Sequence, residues 1–165
     1  MPKKIRPIKT IPFDAPDRRR LPILLRRAWY GLNQAFRRRI AHLDVTPDQF
    51  TALRTIVEGD PAGVAQSALT KLMSSDANTI ASLLERMEKA SLVERRAHEK
   101  DRRAYRIRVT PIGRRKFEQA RNVALQLQAE ILSALPKARR EEFLENLGCV
   151  ADFCGRAANK QQRHP

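Results

Sequence analysis

The sequence predicts a mainly α fold with a small β-hairpin wing (α+β), and three observations predict it. Apolar residues recur at steps of three and four along most of the chain, as amphipathic helices require. Between residues 92 and 110 that spacing gives way to alternation, with Tyr105, Ile107 and Val109 against Arg106 and Arg108. Just before it, over about residues 75–90, Ile80, Leu83, Leu84 and Met87 make one apolar stripe, while Ser75, Asn78, Ser82, Glu85, Arg86 and Lys89 fall on the far side. A helix with small polar side chains towards its N-terminus, followed by a hairpin whose tip reads His98-Glu99-Lys100-Asp101-Arg102-Arg103, suits a major groove and the phosphates or minor groove beside it. This is a winged helix-turn-helix pattern, here with long N- and C-terminal dimerisation helices.

Charge is concentrated in the same region. The 165 residues carry 33 Lys plus Arg against 18 Asp plus Glu, a net +15. Residues 1–45 hold +9 and residues 95–116 hold +8, while 46–94 and 117–165 hold −3 and +1. A chain made basic for solubility would spread its charge; this one gathers it at the amino end and the hairpin, as polyanion binding requires. No stretch approaches the roughly 18 consecutive apolar residues that span a bilayer, and no signal-peptide core is visible. A cytoplasmic protein with no membrane partner is expected.

In chain order, residues 1–20 combine Pro2, Pro7, Pro12 and Pro16 with Lys3, Lys4, Arg6, Lys9 and Arg18-Arg19-Arg20, which reads as a mobile basic arm that either touches DNA phosphates or aids solubility. Residues 21–45 form the N-terminal dimerisation helix. Pro22 opens it, and Leu25, Trp29, Leu32, Phe36, Ile40 and Leu43 give more apolar face than one neighbouring helix would cover. Gly31 within it marks a close helix crossing or a small-molecule cavity.

Residues 46–110 are the DNA-binding domain. Thr46, Pro47 and Gln49 make a capping box, Phe50, Leu53 and Ile56 or Val57 face inward, and Gly59, Asp60, Pro61 and Gly63 end that helix. A short helix with Ala65, Leu69 and Leu72 inward follows, and Ser74-Ser75 supplies the turn and the next N-cap. The recognition helix spans about 75–90 and the wing about 92–110, with strands Leu92–Arg96 and Ala104–Val109.

Residues 111–160 hold the C-terminal dimerisation helices. Thr110 caps and Pro111 opens the first, with Phe117, Ala120, Ala124, Leu127, Ile131 and Leu135 on one face; Pro136 breaks it. The last, from about Lys137 to Ala158, carries Leu147 and Cys154 at similar spacing. Surplus apolar stripes at both chain ends predict a homodimer. Cys149 and Cys154 point apart on that last helix, so they do not bridge within it and read as small side chains buried at a helix interface, with a redox or intermolecular role as the alternative.

Residues 22 to 158 resemble the MarR family of bacterial transcriptional regulators. The resemblance is carried by Ser75-Asp76-Ala77-Asn78-Thr79-Ile80, by Leu84-Glu85-Arg86-Met87-Glu88-Lys89-Ala90, by Leu92-Val93-Glu94-Arg95, and by Asp101, Arg103, Val109 and Thr110. It implies a homodimeric repressor on a pseudo-palindromic operator, in the bacterial cytoplasm at the nucleoid, released when a small aromatic or phenolic acid, or its thioester, binds between the dimer helices and the reading head. It also implies that Arg103 enters the minor groove and that Asp101 orients it. Ser91 stands where the family usually has glycine, which predicts a backbone cost at the end of the recognition helix if the turn there needs a positive φ.

The expected DNA contacts are Ser75, Asn78, Thr79, Ser82 and Arg86 on the recognition helix and Arg95, Lys100, Asp101, Arg102 and Arg103 on the wing. Asn78, Thr79 and Ser82 are the base readers. An effector pocket is placed at Trp29, Tyr30, Phe36 and Phe50, with Arg26 or Arg27 for a carboxylate; dimer core is the competing role for those aromatics. Catalysis finds no support, since His42, His98 and His164 are scattered and no metal spacing or phosphate loop occurs, so no cofactor is expected. The remaining alternative is a sequence-neutral architectural DNA- or RNA-binding protein, against which stands an aromatic content of 5%.

Overall fold

The computed structural model describes residues 20–97 and 105–160. Among them, residues 20–127 form one compact unit and 128–160 a second. The expected basic arm and the hairpin tip, with Lys100, Asp101, Arg102 and Arg103, lie outside the described residues, apart from Arg20.

In the first unit, α1 (Arg20–Ile40) runs into a 3-10 turn at Ala41–Leu43. α2 (Pro47–Val57) begins at the expected capping box: the Gln49 N–H donates to Thr46 Oγ1 at 3.2 Å and the Thr46 N–H to Gln49 Oε1 at 2.9 Å. β1 (Val64–Ala65) and α3 (Gln66–Leu72) lead to α4 (Ala77–Lys89), then to β2 (Val93–Ala97), β3 (Tyr105–Val109) and α5 (Pro111–Leu132). The sheet is antiparallel in the order β1-β3-β2, pairing Val64 with Ile107 and Val93 with Val109. The strand β1 is absent from the sequence reading, because two residues are too few to show alternation.

The core is centred on Ile40, Leu53, Leu69, Ile80, Leu84, Met87, Leu92 and Ile107, all fully buried. Every residue of the expected α4 stripe is in it. The expected inward face of α3 needs correction: Leu69 is buried, but Leu72 is 66% exposed and Ala65 is an exposed strand residue. Pairing of β1 with β3 delays the helix to Gln66 and turns Ala68, Leu69 and Met73 inward instead.

The Ser74-Ser75 pair also acts differently from expectation. Ser74 has φ 50°, its N–H donates to Lys71 O at 3.2 Å, and the Ser75 N–H reaches back to Thr70 O at 3.1 Å. That is a Schellman ending of α3. The N-cap of α4 is therefore Asp76, one residue later.

α4 ends the same way. Ser91 has φ 56°, the Ser91 N–H donates to Glu88 O at 2.9 Å, and the Leu92 N–H to Met87 O at 2.8 Å. The left-handed position that favours glycine is thus occupied by serine, at a backbone cost. Leu92 O then accepts from the Thr110 N–H at 3.1 Å, and the Thr110 hydroxyl donates to Ser91 O while accepting from the Gly113 N–H at 3.0 Å. The first turn of α5 lies so close that a Cβ on Gly113 would stand 2.0 Å from Leu92 O.

The α1 stripe divides. Phe36, Ile40 and Leu43 enter the core, whereas Trp29 and Leu32 are exposed, and the space beside Gly31 is open to 4 Å. Gly31 therefore marks no helix crossing among the described residues. In the second unit, a 3-10 turn at Lys137–Arg139 follows Pro136 and leads to α6 (Arg140–Lys160). Phe143, Leu147 and Phe153 on α6 are exposed. Cys149 and Cys154 are exposed free thiols, so the burial expected for them is not supplied by the chain's own core.

Two substitutions test the junction at Leu92. Gly113→Ala should destabilise by about 1–3 kcal/mol through overpacking against rigid backbone. Ser91→Gly should stabilise by about 0.5–1 kcal/mol, the left-handed penalty less the extra freedom of unfolded glycine. Urea unfolding monitored by far-UV dichroism measures both, and equal midpoints for the three proteins would contradict the geometry.

Candidate nucleic-acid interface

The exposed face of α4 is set by what α4 buries. With Ile80, Leu83, Leu84 and Met87 inward, Asn78, Thr79, Ser82, Glu85, Arg86 and Lys89 are all exposed, as the spacing predicts. The Asn78 amide and the Ser82 hydroxyl have no partner among the described residues, which leaves one donor-acceptor pair and one hydroxyl for an incoming base edge. Thr79 is committed to the cap: its N–H donates to Asp76 Oδ1 at 2.9 Å and its hydroxyl to Asp76 Oδ2 at 2.6 Å. Its lone pairs and methyl remain. Ser75 precedes the cap and is half-buried.

Further along, the Arg86 Nε donates to Ser82 O at 3.2 Å, and Lys89 pairs with Glu85 at 2.7 Å. Both cations are thus laid along the helix and still exposed, as phosphate contacts need to be. Lys89 and the Asp76 cap leave their marks on the acids. Glu85 is held below its ordinary range, first by the Lys89 hydrogen bond, and Asp76 is held below it first by the Thr79 hydroxyl, then by the Thr79 N–H.

The hairpin base is tied down on both strands. On β3, Arg106 donates to Asp60 Oδ2 and to Gly63 O, each at 3.1 Å, and Arg108 donates to Pro61 O at 3.0 Å. These arginines hold the turn between α2 and β1, and the Ala62 N–H together with Arg106 keeps the Asp60 carboxyl low. On β2, Arg95 lies 3.3 Å from Glu88 of α4, and Arg96 donates to Glu94 at 2.8 Å. Arg95 was expected among the wing's DNA contacts; the structure places it against the recognition helix. The clamps at Asp60 and Glu88 are missing from the sequence reading because each joins residues that neither period nor motif connects.

The expected effector residues are not gathered round one cavity. Phe36 and Phe50 meet edge to face at 5.0 Å, and Phe50 stacks on Phe117 at 5.6 Å, so these rings are core. Trp29 and Tyr30 are 62% and 61% exposed, and Tyr30 Oη accepts from Gln34. Arg26 and Arg27 are exposed on the same helix. A cleft of about 370 Å³ among the described residues is lined instead by Ile56, Val57, Glu94, Arg108, Val109 and Arg114, none of them expected.

A helix with a free polar N-terminal face, buried through its other side and locked to a basic hairpin, defines a winged helix-turn-helix reading domain. Residues 45–105 match the MarR family model. Over 127 residues the chain is 28% identical to the transcriptional regulator HosA of Escherichia coli, covering 74% of this chain and 93% of HosA. The DNA complex of the Mycobacterium tuberculosis transcriptional regulator MosR is 28% identical with a TM-score of 0.65, covering 81% of this chain and 96% of that one. The Staphylococcus aureus MepR–DNA complex, 20% identical, shares the fold with a TM-score of 0.74 over 80% of this chain and 96% of that one. Residues 45–105 thus carry a MarR-family domain, and the proteins that the chain resembles are transcriptional regulators, two of them seen in complex with DNA. No helix among the described residues is long and apolar enough to cross a membrane.

The cap gives a pH-dependent prediction. A carboxyl whose folded pKa is depressed stabilises fully above its unfolded value, here the ordinary 3.8, and loses that contribution as pH falls through the folded value. Asp76→Ala should therefore lower the urea midpoint at pH 7 and lower it less well below pH 3.8. Asp76→Asn, which still caps, should stay near wild type at pH 7. An Asp76→Ala deficit that did not change with pH would contradict the role of the charge.

Proposed function

We propose that the chain acts as a homodimeric repressor that reads a pseudo-palindromic duplex, with α4 in the major groove and the hairpin tip in the adjacent minor groove. The observation that carries this is the exposed Asn78 and Ser82, without side-chain partners among the described residues, on a helix that buries its opposite face. The exposed apolar residues Trp29 and Leu32 of α1 and Phe143, Leu147 and Phe153 of α6 support a second copy as partner. Release by a small aromatic acid, taken near Trp29, Tyr30 and Arg26, completes the reading and rests on the family resemblance. Selection of duplexes from a random pool tests it: a two-fold symmetric site bound by two chains is expected, and Asn78→Ala should relax preference at particular base pairs by about 1–3 kcal/mol. Equal affinity for all duplexes would favour the sequence-neutral alternative. Titrating the complex with aromatic acids and their thioesters tests the effector, and no release by any of them would remove that ligand class.

The hairpin tip gives a sharper expectation. The family pattern selects Arg103 over Arg102 for the minor groove, and in an extended segment adjacent side chains would not reach the same groove. Arg103→Ala and Asp101→Ala should each weaken binding strongly, with the double variant little worse than Arg103→Ala, because Asp101 acts by holding Arg103. Arg102→Ala should cost less and reduce the salt dependence by about one phosphate contact. Titrations at several salt concentrations decide: additive losses at Asp101 and Arg103 would refute the coupling.

A further inference from the structure

We infer that Arg95 is not a DNA contact but a positioning residue, which acts through Glu88 to set the angle of the hairpin against the recognition helix. The inference rests on the DNA-reading assignment above and adds a role to a residue inside it.

Strand alternation is the first observation. In β2, Val93 is buried and Arg95 pairs across the sheet with the fully buried Ile107, so Val93, Arg95 and Ile107 share the face that packs on α4, while Glu94 and Arg96 occupy the other. The second is the surroundings of the guanidinium. Its Nε is buried, makes no hydrogen bond, and sits 3.3 Å from Glu88 Oε2, with the Arg95 side chain 31% exposed and that of Glu88 44%. The Nε–H is out of reach of water and so closed to a phosphate, and the carboxylate beside it answers the guanidinium charge, which leaves only the Nη end for any other partner. The third is the reach of that charge along α4, since Arg95 also helps to hold the Glu85 carboxyl low, after Lys89.

One cation on the hairpin thus faces two acids on the last turns of α4. Clamped there, and with Arg106 and Arg108 clamped to the turn before α3, the hairpin base has an ion pair or hydrogen bond on each strand to an element of the helix-turn-helix. A tip carried on such a base meets the groove beside α4 in one orientation, which lowers the freedom lost on binding.

A phosphate contact and a positioning residue differ in their salt dependence. Each phosphate contact contributes about 0.9 to the slope of log K against log salt, and a positioning residue contributes nothing. On the preferred duplex, Arg95→Met and Glu88→Gln should each weaken binding on the order of tenfold, a typical coupling for a paired contact. Both should leave the salt slope unchanged, and both should reduce hydroxyl-radical protection in the groove beside the α4 footprint while sparing that footprint. The exchanged pair, Glu88→Arg with Arg95→Glu, should recover affinity. Glu88→Gln, at a half-exposed site, carries the test if Arg95→Met does not fold, as judged by far-UV dichroism. A slope reduced by about 0.9 in Arg95→Met, with Glu88→Gln silent and no recovery on exchange, would overturn the inference in favour of a phosphate contact. A wild-type chain with no preferred duplex would instead overturn the DNA-reading assignment itself.

Discussion

The reading domain depends on how the chain leaves α4. At Ser91 the backbone turns left-handed, and Leu92 becomes the point where three elements meet: its N–H closes the end of α4 on Met87 O, β2 starts after it, and its carbonyl accepts from Thr110 at the start of α5, while its side chain is fully buried. Met87 and Leu92 are both fully buried, which is the apolar contact that accompanies this type of helix ending. Gly113 follows from it, because a helix whose first turn touches that carbonyl has no room for a side chain there. Displacing Leu92 would move the recognition helix and both hairpin strands together.

The same economy explains an oddity in the charge pattern. Residues 46–94, which include the recognition helix, carry −3 in a chain of net +15. Acids beside DNA would repel it, yet each of those nearest the reading face has a local task. Asp76 caps α4, Glu85 holds Lys89, Glu88 faces Arg95, and Asp60 holds Arg106. These are mostly exposed pairs of small individual worth to stability. Their effect is to fix where neighbouring cations and hydrogen-bond donors point.

Much of this was legible in the sequence, and the limits have physical causes. The α4 stripe, the capping box at Thr46 and the Thr110-Pro111 helix start are local signals, with partners within four residues. Ser74-Ser75 was misread because serine serves both as a helix end and as an N-cap, and the neighbouring Asp76 caps about as well and takes that role. Leu72 was misread because a two-residue strand shifted the start of α3. Phe36 and Phe50 read as pocket or as core, and neither period nor motif links them to Phe117, 67 residues beyond Phe50, on which Phe50 stacks while Phe36 meets Phe50 edge to face. Arg95 lies beside Glu88 of α4, a pairing between a strand and a helix that neither charge nor strand alternation alone shows.

The central claim is that recognition helix and hairpin base form one rigid body through Leu92. Native-state hydrogen exchange of the free protein tests it most directly, since the amides of Leu92, Thr110 and Gly113 each donate within the junction. They should exchange with the amides of the buried half of α4, at the free energy of global unfolding and with the same denaturant dependence. If the hairpin-base amides exchanged through a separate local opening while α4 stayed protected, the two would be independent bodies and the account would fail.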